Sequence, residues 1–111
     1  MFITKIDDER IDFNDGSHII FDHCADCCEW NYADFSILTA ANNEIFNLRF
    51  SKVDIFPKEE GFILALDNRK FWIPCYSSQN GWYSIDLDVF YFDKHGDLIK
   101  EINLDCQEDF G

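Results

Sequence analysis

Turn-forming residues punctuate this chain at short intervals, and that spacing constrains the fold more than any other feature. Asn14-Asp15-Gly16, Lys58-Glu59-Glu60-Gly61, Asp67-Asn68-Arg69-Lys70, Gln79-Asn80-Gly81 and Asp93-Lys94-His95-Gly96-Asp97 separate apolar segments of strand length. Gly, Asn and Asp tolerate the backbone conformations that tight hairpins demand, so the pattern predicts antiparallel hairpins in chain order. No internal repeat, low-complexity tract or linker interrupts the pattern, and residues 1–111 read as one domain. A chain of this size buries roughly two-thirds of its extended surface on folding. Its 47% hydrophobic content is enough to build that core.

Within the segments the period is mostly two. Tyr83, Ile85, Leu87, Val89 and Tyr91 alternate with Trp82, Ser84, Asp86 and Asp88, as in a strand with one buried face. Phe62 to Leu66 is continuously apolar and predicts a strand covered on both faces. Asp86 to Asp93 and Leu98 to Leu104 form a hairpin about Lys94-His95-Gly96, with Gly96 at positive φ. From Ile45 onward Phe46, Leu48 and Phe50 point inward; the parity then changes so that Val53 and Ile55 do, which predicts a bulge or sharp bend at Ser51-Lys52.

One helix is expected, Phe35 to Asn42, capped by Asp34 and burying Phe35, Leu38 and Ala41, although Ser36-Ile37-Leu38-Thr39 suits a strand nearly as well. The expected architecture is mainly β, an antiparallel meander of about six to eight strands, twisted or partly closed, with at most one short helix. The alternative is an α+β domain in which residues 34–43 form a helix over one sheet face.

Charge narrows the function classes. With 22 Asp and Glu against 9 Lys and Arg, the net charge is −13. That field repels phosphate backbones, no stretch gathers the cations that displace counterions, and direct nucleic-acid binding is not expected. Anionic membranes are disfavoured for the same reason, and no apolar run approaches the roughly 20 residues that span a bilayer. The N-terminal run Met1 to Glu9 turns acidic too early for a signal peptide, so a cytoplasmic protein is expected. Five cysteines cannot all pair within one chain, and a reducing compartment predicts free thiols. Cys75 and Cys106 each stand alone in the sequence and read as small buried apolar residues.

Between Arg10 and Arg49 stand seven acidic residues and no Lys or Arg; three of the cysteines and two of the histidines fall in the same window. Its dense part is Asp22-His23-Cys24-Ala25-Asp26-Cys27-Cys28-Glu29-Trp30. Cys24 and Cys27 have the Cys-x-x-Cys spacing that lets two thiolates meet one zinc or iron ion, and His23, Asp26 or Glu29 can add a ligand. His23, Cys24, Cys27 and Glu29 are therefore the candidate metal ligands, with the remaining ligands of a tetrahedral site to be supplied by the fold. A catalytic cysteine paired with His23 or His18 is disfavoured, because Asp22, Asp26 and Glu29 oppose thiolate formation. The alternative without chemistry has Cys28 and Trp30 pointing into the core from a strand, Glu29 and Asn31 facing out, and Asp26 fixing a turn.

His23-Cys24-Ala25-Asp26-Cys27-Cys28-Glu29 resembles a His-x-x-Asp-Cys-Cys-Glu signature of small bacterial and phage-borne domains, where it also precedes a strand. The segment Ile73 to Ser84 is similar to a second stretch of such proteins. Together the two cover about a fifth of the chain. The resemblance implies that these segments are the informative ones and adjacent in the fold; it implies no reaction, cofactor or catalytic residue.

In the second segment Trp72, Tyr76, Trp82 and Tyr83 surround a Ser/Gln/Asn/Gly loop, a composition found in recognition surfaces and equally in cross-strand aromatic pairs. Asp26, Tyr76, Asn80 and Trp82 are the candidate binding residues. Asp86 and Asp88 share a strand face, but on a solvated strand neither has cause to hold a proton as a glycosidase acid must. The function expected is non-enzymatic: a small acidic domain that binds, and can neutralise, a basic protein partner. A metal-binding domain with structural zinc or iron at the Cys/His cluster is the alternative.

Overall fold

Four of the five turn signals close hairpins, and the fifth runs into residues outside those described. The computed structural model describes residues 1–22, 29–41, 43–79 and 85–109. Ten strands are found among them: β1 (Ile3–Ile6), β2 (Arg10–Phe13), β3 (His18–Asp22), β4 (Glu29–Ala33), β5 (Val53–Lys58), β6 (Gly61–Leu66), β7 (Arg69–Gln79), β8 (Asp86–Phe92), β9 (Leu98–Asp105) and β10 (Gln107–Asp109). A short helix α1 (Ser36–Ala41) and a 3-10 turn (Asn43–Asn47) lie between β4 and β5. The fold is mainly β, as the turn spacing predicts, with more and shorter strands than the six to eight expected.

The strands form two sheets. The first has the order β1-β2-β3-β8-β9; in the second, β10-β7-β6-β5, strand β4 also pairs with β7. Every pairing is antiparallel except that of β10 with β7. Hairpins therefore run in chain order within β1-β2-β3, β5-β6-β7 and β8-β9, while the β3–β8 pairing joins segments far apart in sequence.

The long strand β7 changes neighbours midway. Its first half pairs with β6 as far as Pro74 opposite Gly61, and from Cys75 onward it pairs with β4. Proline lacks the N–H that a ladder uses, so a strand interior accepts it where pairing changes. Here the Pro74 carbonyl accepts from Asp34 N–H at 2.9 Å while Cys75 N–H donates to the Glu60 carbonyl at 3.0 Å.

One core lies between the sheets. Ile11, Ile19, Leu87, Val89 and Leu104 from the first sheet join Ile55, Phe62, Leu64, Leu66 and Ile73 from the second. Phe35, just before α1, bridges the two, with its ring 5.7 Å from Phe21 and 6.4 Å from Phe62. Asp34 caps the helix as expected, accepting from Ser36 N–H at 3.1 Å. At one edge Lys100 of β9 reaches the second sheet, 2.8 Å from the Asp54 carboxylate and 4.1 Å above the Phe56 ring.

One expectation changes. Residues 45–50 form no strand: the 3-10 turn buries Ile45 and leaves Phe46 on the surface, because its period is three and not two, and Leu48 just after it is half-buried. The change of parity is nevertheless a bend at Ser51, and its cause lies elsewhere in the chain. Asp67, in the β6–β7 turn at φ 55°, accepts from Ser51 N–H at 3.0 Å and Lys52 N–H at 2.8 Å. Asp67→Ala is expected to cost about 2 kcal/mol, since two amides lose a charged acceptor and alanine is strained at positive φ. Urea denaturation should show the lower midpoint with an unchanged slope.

Carboxylates also close three of the other turns, through Asp7, Asp15 and Asp93. The Asp93 carboxyl is held below its usual 3.8, first by the Asp97 N–H and then by the His95 N–H. Asp7 is lowered mainly by the Glu9 N–H, with Arg10 N–H and Lys5 adding. Burial raises Asp15, but hydrogen bonds from the Ser17 hydroxyl and amide outweigh it. A carboxyl depressed on folding contributes stability above its unfolded value and loses it as pH falls through the folded one. Equilibrium unfolding between pH 5 and pH 2 should therefore show a progressive loss beginning near the ordinary carboxylate value of 3.8.

Candidate protein-binding face

Alternation along β3, β8 and β9 divides their side chains between two faces. Ile19, Phe21, Leu87, Val89, Tyr91, Ile102 and Leu104 point into the core. The residues between them make the outer face, and strand register sets them in rows. His18, Phe92 and Leu98 form one row, Ile20, Phe90 and Glu101 the next, then Asp22, Asp88 and Asn103, and finally Asp86 with Asp105.

The face thus changes character along the strands. One end is apolar: the His18 and Phe92 rings stack with centroids 5.2 Å apart, Phe90 lies 6.1 Å from Phe92, and Leu98 is 49% exposed. The other end carries carboxylates directly opposite one another, Asp22 facing Asp88 and Asp86 facing Asp105. Like charges in that position repel and weaken a sheet. The Asn103 amide lies between, donating to Asp88 at 2.8 Å and to Asp86 at 3.4 Å. Of the ion pairs, Arg10–Asp12 flanks this face on β2, with Arg10 opposite Ile20 and Asp12 opposite His18, while Lys5–Asp7 and Lys100–Asp54 involve none of the clustered carboxylates.

A cleft of about 320 Å³ opens on the inner side of β3, where Phe21 points away from the outer face. Phe21, Tyr32, Ala33 and Phe35 line it together with Asp8, Glu9 and Asp34.

Of the residues singled out in the sequence, His23, Cys24, Asp26, Cys27, Asn80 and Trp82 lie outside the described residues. Glu29 begins β4, opposite Gln79. Tyr76 is half-buried opposite Tyr32, their ring centroids 5.7 Å apart, in the manner of a cross-strand aromatic pair. Of the first resembling segment only Glu29 is among the described residues, and its partner across the ladder, Gln79, belongs to the second. No group of three or more His, Cys, Asp or Glu able to hold a metal ion occurs among the described residues. No helix among the described residues is long and apolar enough to cross a membrane.

The strand parity of β4 is a correction. Asn31 is buried and not outward, while Tyr32 is half-buried on the opposite side. The Asn31 amide donates to the Asp86 carbonyl at 3.0 Å, and its side-chain oxygen accepts from the buried Ser77 hydroxyl. This polar contact ties β4 and β7 of one sheet to β8 of the other, and no periodicity reveals it. The outer face was equally hidden, because the rows of carboxylates depend on the pairing of β3 with β8. Comparison with family models, curated proteins and solved structures finds no match to this chain.

Proposed function

We propose that the protein is a non-enzymatic binding domain for a basic protein partner, which it engages through the outer face of β3-β8-β9. The observation that carries this reading is the opposition of Asp22 to Asp88 and of Asp86 to Asp105 beside exposed apolar surface. Such an arrangement weakens the free sheet and is relieved when a cation docks, so part of the repulsion becomes binding free energy. Lys or Arg side chains would meet the carboxylates, while apolar partner residues would cover Phe90, Phe92 and Leu98. Net −13 speeds encounter with a cationic surface. The reading assumes a cytoplasmic setting, where free Cys75 and Cys106 thiols persist.

The test compares two variants of equal charge change. Asp22→Asn/Asp88→Asn/Asp105→Asn should weaken capture of a basic protein from native lysate at low salt by about tenfold, each lost contact to charge contributing to that total. Glu59→Gln/Glu60→Gln/Asp97→Asn should leave capture nearly intact. Equal weakening by both, or capture that salt does not release, overturns the reading. The first variant should also be more stable than the parent by about 0.5–1 kcal/mol at low ionic strength, a gain that shrinks with added salt. Elemental analysis separates this function from a zinc- or iron-holding role for His23, Cys24, Cys27 and Glu29, which requires one equivalent of metal.

A further inference from the structure

Cys75 and Cys106 are separated by 31 positions in the chain, yet the parallel pairing of β10 with β7 brings them side by side. Gln107 lies opposite Tyr76, Glu108 opposite Ser77 and Asp109 opposite Ser78. One step back on both strands stand Cys106 and Cys75. Their burial is in phase as well: Cys75 and Cys106 are buried, while Tyr76 and Gln107 are half-buried, so the two thiols point to one side. Adjacent strands lie about 4.8 Å apart. A disulfide spans Cα separations of about 4.4–6.8 Å.

Cys106 also occupies a corner. The chain leaves β9 of the first sheet at Asp105 and enters β10 of the second at Gln107; between them the Cys106 N–H donates to the Ile85 carbonyl at 2.8 Å. The two thiols differ in access. Cys106 lines a surface cleft with Lys58, Glu59, Glu60, Ile85 and Asp105, whereas Cys75 is fully buried and takes no part in that lining. The neighbouring Cys106 thiol, with burial adding, pushes the Cys75 thiol well above its ordinary value. Cys106, which lines the cleft, is therefore the thiol that oxidant meets.

We infer that Cys75 and Cys106 form a disulfide-forming oxidation site, in which Cys106 reacts with an uncharged hydroperoxide and Cys75 resolves the product, locking the two sheets together at their corner. Hydrogen peroxide transfers an oxygen to Cys106, giving a sulfenic acid and one water. The Cys75 thiol then attacks that sulfur, the S–S bond forms, and the sulfenic oxygen leaves as a second water. Two thiol hydrogens and two electrons have passed to the peroxide, which is fully reduced. The acidic cleft favours a neutral oxidant, since Glu59, Glu60 and Asp105 repel an anion such as glutathione disulfide. This site is independent of the proposed binding function, and failure of either leaves the other standing.

Peptide mapping of the full chain decides it, because tryptic cleavage places Cys75 in residues 71–94, Cys106 in 101–111 and the other three cysteines in 11–49. Native protein exposed to millimolar hydrogen peroxide should yield a linked 71–94/101–111 pair, reversible by dithiothreitol, more readily than with equimolar glutathione disulfide. Its melting temperature should rise by roughly 10 °C, since the bond closes a long loop. Cys106→Ser should leave Cys75 fully alkylatable after unfolding. Cys75→Ser should drive Cys106 on to sulfinic acid, having lost the group that resolves it. Absence of the linked pair from native oxidised protein overturns the proposal, as does linkage only after unfolding or a fall in melting temperature on linkage.

Discussion

Gly61→Ala is expected to lower the melting temperature by on the order of 15 °C, a loss of about 3 kcal/mol. A Cβ at this position would stand 2.3 Å from the Ile73 carbonyl oxygen and 2.8 Å from the Trp72 indole nitrogen. The nearer atom is backbone of the paired strand and has no rotamer to escape into. Relief requires β6 and β7 to part where Gly61 faces Pro74, which also strains the bond from Cys75 N–H to the Glu60 carbonyl. Thermal unfolding followed by circular dichroism measures the effect. Trp72→Ala in the same chain removes only the lesser clash, so the double variant should remain destabilised; full recovery would show that the ring and not the strand was the obstacle.

Asn31→Leu is expected to cost about 2–4 kcal/mol although it adds apolar volume to a buried site. The substitution removes the amide that donates to the Asp86 carbonyl and the oxygen that accepts from Ser77. The Ser77 hydroxyl, fully buried, then stays away from water with a bond lost, and burial makes such a loss expensive. Asn31→Leu/Ser77→Ala should recover part of the deficit, because the second change deletes the stranded hydroxyl. Chemical denaturation of the two single variants and the double closes the cycle. Additive losses would show that the two side chains do not act together.

How far the sequence could be read is clearest at Gly61 itself. Its turn was legible, yet glycine is not there for a positive φ; Glu60 takes that conformation, at φ 61°, and Gly61 serves the close approach of β7. Asp67 makes the same point: it reads as a turn former, but its carboxylate also holds the bend at Ser51-Lys52 that the change of parity predicts. At β4 the reading fails in parity, placing Asn31 outward, because a polar side chain was assumed to seek water when the fold supplies it with buried partners. The candidate face was visible only as alternating Asp86 and Asp88, and the cysteine pair not at all.

What the residues determined unaided were features set by near neighbours: four hairpin turns, the buried alternation of Leu87, Val89 and Tyr91, the continuous core strand Phe62 to Leu66, and the Asp34 cap. These follow from φ preferences, period and local hydrogen bonds, which act over a few positions. Tertiary structure alone decided that β3 lies against β8, that β10 runs parallel to β7, and that Asn31 faces Ser77. Each of those brings together groups distant along the chain, and the choice among pairings rests on which one buries the apolar faces of both sheets while leaving no polar group stranded.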